Sequence, residues 1–94
     1  MACVGILTLE LRLDHAHSLI EKRHVVRSLI ERLRGKFNLS VSEIEDQDVH
    51  NSAVIAAAIV SPSRGFAEKV LSSTEEEAAR QLGPLLVRTD VEWL

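Results

Sequence analysis

From Cys3 to Leu13 the chain alternates, with Leu7, Leu9, Leu11 and Leu13 on one side and Thr8, Glu10 and Arg12 on the other. A period of two marks a strand with one buried face, so this segment is predicted as the first strand. The polar stretch Asp14 to His17 breaks the pattern. Ser18 then stands three residues before Glu21, the spacing of a helix capping box. At about 100° per residue, Leu19, Val26, Leu29, Ile30 and Leu33 fall on one side, which predicts a first helix that stops at Gly35. Phe37 to Glu45 alternates again, with Phe37, Leu39, Val41 and Glu43 sharing a face, and reads as a second strand. The polar stretch Glu45 to Ser52 is the hairpin connection. Ala53 to Val60 is small or apolar on both faces, as expected of a central strand. Ser61 and Pro62 suit the cap and first position of a second helix, with Phe66, Val70, Leu71, Thr74 and Ala78 inward and Gly83-Pro84 ending it. The final run places Leu85, Val87, Thr89, Val91 and Trp93 on one face of a fourth strand.

The order strand, helix, strand, strand, helix, strand is the split βαβ arrangement. It predicts an α+β, ferredoxin-like βαββαβ sandwich, with two helices on one face of a four-stranded antiparallel sheet. With 94 residues, the chain is expected to form one domain, residues 1–94. A net charge of −3 excludes a globally basic nucleic-acid binder and moves attention to local patches. Cys3 is the sole cysteine, so neither an intrachain disulfide nor a cysteine-based zinc site can form; a reducing, cytoplasmic setting is the expectation. No apolar run approaches the roughly 20 residues of a membrane-spanning helix.

The residues Ala16-His17-Ser18-Leu19 with Glu21-Lys22-Arg23, then Val25-Val26-Arg27-Ser28-Leu29 and Phe37-Asn38-Leu39-Ser40-Val41, resemble the small bacterial YlxP-like family. The likeness continues through Ser42-Glu43-Ile44-Glu45, Gln47-Asp48 and Ala57 to Ser61, and weakens in the second helix and last strand. His50 and Ser52 stand where that family often carries a tryptophan and an arginine. The resemblance implies a ferredoxin-like fold without an assigned function, and genes that for many members lie near translation and ribosome-maturation factors.

Candidate chemistry concentrates on the first helix. Arg23, Arg27 and Arg34 project within about 40° of one another, with Lys22 and Lys36 nearby in sequence. Arginine forks bind phosphate oxygens in pairs, so this set is the candidate surface for RNA, a ribosomal particle or an acidic protein partner. The alternative is a solvated flank with Glu21 and Glu31 as partners. The sheet face away from the helices gathers Ile6, Thr8 and small residues of the third strand, the candidate face of a homodimer. Strands one and three carry no aromatic residues, so base stacking in the manner of RNA-recognition modules is not expected. The histidines His15, His17, His24 and His50 lack metal-site spacing. The acidic set Glu43, Glu45, Asp46 and Asp48 has no nucleophile beside it, and no glycine-rich phosphate loop occurs. The expectation is a non-catalytic binding module with no cofactor and no metal. A protein-interacting regulatory homodimer, or a small metal-dependent enzyme built on the acidic hairpin and His50, are the alternatives.

Overall fold

Each segment marked out by its apolar pattern becomes a regular element in the structure, a computed structural model that describes residues Met1–Leu94. In chain order these are β1 (Cys3–Arg12), α1 (Leu19–Lys36), β2 (Ser40–Glu45), β3 (Ser52–Ser61), α2 (Arg64–Leu82), a 3-10 turn (Gly83–Leu85) and β4 (Leu86–Trp93). The strands form one antiparallel sheet in the order β2-β3-β1-β4. The ferredoxin-like order βαββαβ is therefore present, with β1 and β3 central and β2 and β4 at the edges.

The core lies on one side of this sheet. Leu7, Leu9 and Leu11 of β1 and Ala53, Ile55, Ala57 and Ile59 of β3 meet Val26, Leu29 and Leu33 of α1 and Ala67, Leu71, Ala78 and Leu82 of α2. Side chains alternate across a strand, so the intervening residues Val4, Ile6, Thr8, Val54, Ala56 and Ala58 form an open face, each half-buried.

Local chemistry sets the element ends. The Ser18 hydroxyl accepts from the Glu21 amide at 3.2 Å, while the Glu21 carboxylate accepts from the His17 amide at 2.9 Å, a capping box whose return bond falls one residue early. Gly35 does not end α1. The helix runs to Lys36 and closes where the Phe37 amide donates to the Leu33 carbonyl, and β2 starts only at Ser40. The cap of α2 is Ser63, whose hydroxyl accepts from the Phe66 amide. Ser61 belongs to β3, buried and paired in register with Cys3, so its hydroxyl bridges to the Ser63 backbone instead. Starting α2 at Arg64 puts Ala67, Leu71, Thr74 and Ala78 on the buried stripe and leaves Phe66 59% exposed, contrary to the sequence expectation. Gly83 ends the helix at φ 56, backbone that favours glycine.

In β4 the alternation slips once. Arg88 pairs with Glu10 but Leu86 pairs with Leu11, so Val87 is an inserted residue and is exposed, not inward. Beyond the bulge, Thr89, Val91 and Trp93 resume the helix-facing side, with Trp93 opposite Gly5. Any Cβ on Gly5 would lie 2.6 Å from the indole, so Gly5 makes the room in which Trp93 sits. The Arg64 guanidinium covers the ring at 4.1 Å from its centroid. No helix is long and apolar enough to cross a membrane.

Candidate functional site

Helix α1 carries six of the chain's eleven lysines and arginines, and the fold sends them in three directions. Lys22 points inward. It follows the same spacing as Val26, Leu29 and Leu33, and its side chain is fully buried. Its ammonium donates to the backbone carbonyl of Asp46 and to that of Val49 at 2.7 Å, and lies 2.9 Å from Glu43 Oε2. That carboxylate oxygen has no other partner. Lys22 thus fastens α1 to the β2–β3 hairpin, where Asp46 turns the chain at φ 62. The sequence expectation that Lys22 belongs to an exposed cationic surface is corrected: its charge is consumed inside the molecule.

Arg23, Arg27 and Arg34 do come together. They line a groove of about 390 Å³ between α1 and edge strand β2, with Val26, Ile30, Val41 and Ser42 at its base and Glu31 and Glu43 beside them. Spacings of four and seven residues bring the three arginines round to one flank of the helix. Arg34 donates to the Val41 carbonyl at 2.9 Å. Arg23 and Arg27 are exposed and take part in none of the chain's ion pairs. Glu43 is answered by Lys22, so Glu31 is the one carboxylate there that opposes the arginines.

Lys36 belongs elsewhere. Two residues past Arg34 it has turned about 200° round the helix, and it meets α2 rather than β2. There its ammonium lies 2.7 Å from Glu77 Oε1, Arg32 Nε lies 2.6 Å from Oε2, and Arg80 Nη1 approaches to 3.6 Å. Glu77 is 3% exposed, whereas the three cations are each more than half exposed. Hydrogen bonds from Lys36 and then Arg32 lower the Glu77 carboxyl from its usual 4.5 to about 2, against the opposing effect of burial. The sequence reading missed Glu77. Its signal was a carboxylate one residue before Ala78 and three after Thr74, on the inward stripe of α2, which requires a cation from the neighbouring helix.

Ile6 and Thr8 lie on the open sheet face as expected, flanked by Val4, Val54, Ala56 and Ala58, with Val60 70% exposed at one end. Toward the hairpin this face becomes charged, through Glu10, Arg88 and Asp90. The acidic hairpin has structural work for two of its carboxylates: the mostly buried Glu43 holds Lys22, and the exposed Asp46 accepts from the Ser52 hydroxyl. No three His, Cys, Asp or Glu side chains converge in a metal-binding arrangement.

Solved structures with the same architecture are distant in sequence. They include the de novo designed protein LFR1 1 with ferredoxin fold, at 10% identity, TM-score 0.59, covering 100% of this chain and 84% of that one. Another is a dimeric ferredoxin-like protein of unknown function from Thermobifida fusca, at 12% identity, TM-score 0.56, covering 99% and 90%. At such identities the likeness is one of fold. In sequence, the uncharacterized protein YlxP of Bacillus subtilis (strain 168) is 40% identical over 68 residues, 72% of this chain and 74% of that protein. A family described as a protein of unknown function (DUF503) matches residues 4–91, taking in the second helix and most of the last strand, where the resemblance read from the sequence faded. The chain therefore belongs to the DUF503 family, to which no function has been assigned.

Proposed function

We propose that this protein is a non-catalytic binding module that holds RNA, within a ribosomal particle, in the groove between α1 and β2. The observation that carries the reading is the division of labour among the cations of α1: Lys22 is consumed internally, while Arg23 and Arg27 stay exposed and unpaired beside Arg34 in one groove. Guanidinium groups without a carboxylate partner are free to fork onto phosphate oxygens. The test is cosedimentation with bacterial ribosomal particles at low and high salt, comparing wild type with the combined Arg23→Ala, Arg27→Ala, Arg34→Ala variant. Arg34 also holds Val41, so Arg23→Ala with Arg27→Ala serves as a second variant that leaves that bond intact. Salt-sensitive, nuclease-sensitive pelleting of wild type and its loss in both folded variants supports the reading. Equal behaviour of wild type and variants overturns it. Pelleting that survives nuclease points instead to a protein partner.

A second reading concerns assembly: two copies pair through their open sheet faces around Ile6 and Thr8. The aliphatic centre formed by Val4, Ile6, Val54 and Ala58 supports it, since a patch of this kind on a small domain is stabilised by being covered. The Thermobifida fusca protein is a dimeric precedent for the fold. Light scattering on wild type and Ile6→Asp checks it. A dimer that becomes a folded monomer is expected, and a wild-type monomer at tens of micromolar removes the reading.

A further inference from the structure

Arg32, Lys36 and Arg80 surround Glu77 at the seam between α1 and α2. One carboxylate serving three cations leaves an excess of two positive charges there. Glu77 is buried and bonded to Arg32 through Nε and to Lys36 through Nζ, so it fixes where these groups sit while more than half of each cationic side chain remains exposed. The seam is a second cationic row, built independently of the groove that holds Arg23, Arg27 and Arg34. The two rows lie on opposite flanks of α1, about 160° apart at Arg32 and about 200° apart at Lys36 from the position of Arg34. Between them the solvent side of the helix presents His24, Ser28, Glu31 and Gly35, all exposed.

From this we infer that the nucleic acid bound is duplex RNA, with α1 laid in its minor groove, the phosphates of one strand on the Arg23–Arg27–Arg34 row and those of the other on the Arg32–Lys36–Arg80 row. The inference rests on the RNA reading above and names its substrate class. A helix about 10–12 Å across carries cations on both sides, which suits two phosphate rows rather than one. A-form RNA offers a wide, shallow minor groove read by shape and backbone, and the small or polar side chains between the rows suit that readout. Single strands are held by stacking bases on aromatic side chains. Here the sheet's open face is aliphatic, and Trp93 is turned to the helix side under Arg64.

The test is fluorescence anisotropy with the full-length protein and three labelled probes: an RNA duplex of about 20 base pairs, longer than the roughly 16 a duplex-RNA domain covers, one of its strands alone, and the matching DNA duplex. The RNA duplex is expected to bind at least about tenfold more tightly than either other probe, with log affinity falling linearly with log salt. Arg23→Ala with Arg27→Ala, and separately Arg32→Ala with Arg80→Ala, are each expected to weaken duplex binding and reduce the salt slope by about one per arginine removed. Glu31→Gln, which removes the carboxylate between the rows, is expected to tighten it. Should the seam double variant unfold, Arg80→Gln alone, at the weakest of the three contacts, reports on that row. Equal binding of the single strand or of DNA, or a seam variant that binds like wild type, overturns the duplex inference and leaves the RNA reading standing. Binding to none of the probes removes both.

Discussion

Lys22→Met tests the central claim about α1, that one of its cations is a fastener and not a ligand-binding group. Methionine preserves the apolar stem at the start of the stripe that Val26, Leu29 and Leu33 continue, so no large cavity opens; what is lost is the ammonium with its contacts to Asp46, Val49 and Glu43. Removing one partner of a buried ion pair typically costs about 3–5 kcal/mol, because the other charge is left without compensation. Here the Glu43 side chain is 14% exposed, and the hairpin residues Asp46 and Val49 are exposed enough for their carbonyls to turn to water. The expected loss is therefore toward the lower end, about 2–4 kcal/mol. With a urea m-value of about 1–3 kcal/mol/M, the unfolding midpoint should fall by about 0.7–4 M at unchanged m. Glu43→Gln in the Lys22→Met background should recover part of this, giving a coupling of about 1 kcal/mol or more across the double-mutant cycle. A cost of Lys22→Met below about 0.5 kcal/mol, within the range of ordinary surface substitutions, would refute the buried latch. So would a Glu43→Gln effect that is the same in both backgrounds.

Three further outcomes follow from contacts elsewhere. Gly5→Ala should destabilise by about 1–3 kcal/mol, measured by urea unfolding, because its Cβ would meet the Trp93 ring at 2.6 Å and Leu71 Cδ1 at 2.9 Å. The Glu77 carboxyl, about 2 in the fold against 4.5 as the ordinary value, binds more protons unfolded than folded between those limits, so its contribution is full above about pH 4.5 and is lost as pH falls toward 2. Denaturation midpoints measured across that window should show a shallower acid loss in Glu77→Gln. Ser63→Ala should cost about 1 kcal/mol of stability by removing the α2 cap, an effect absent if Ser61 were the capping residue.

The element order was legible because β1, β2, β4 and both helices alternate with the period of their element, and because β3, small or apolar on both faces, is bounded by the polar stretch Glu45 to Ser52 and by Pro62. The departures have separate physical causes. Gly35 resembles a stop, but no neighbour crowds it and the Phe37 amide still reaches the Leu33 carbonyl, so the helix runs one residue further, to Lys36. Strict alternation puts Val87 inward and cannot anticipate a bulge, which is fixed by pairing with β1. Charge and nearness in sequence group Lys22 and Lys36 with the arginines. Angle separates them: Lys22 shares the stripe of Val26, Leu29 and Leu33, and Lys36 faces Glu77 across the helix pair. The groove itself was legible only in its helix half, since the β2 side depends on how the edge strand packs against α1.

The bond from Arg34 to the Val41 carbonyl has a bearing on solubility. Strand β2 is an outer strand, and the unpaired backbone groups of such a strand can template the addition of another chain. The guanidinium occupies one of those acceptors and sets a bulky positive charge along the rim, so a second molecule cannot zip on there without displacing it. The same side chain lines the groove proposed for RNA, which means that a polyanion drawing Arg34 away would itself cover the rim it uncovers. Loss of Arg34 without such cover leaves a bare strand edge, and Arg34→Ala protein should self-associate on concentration before it shows any loss of folded structure.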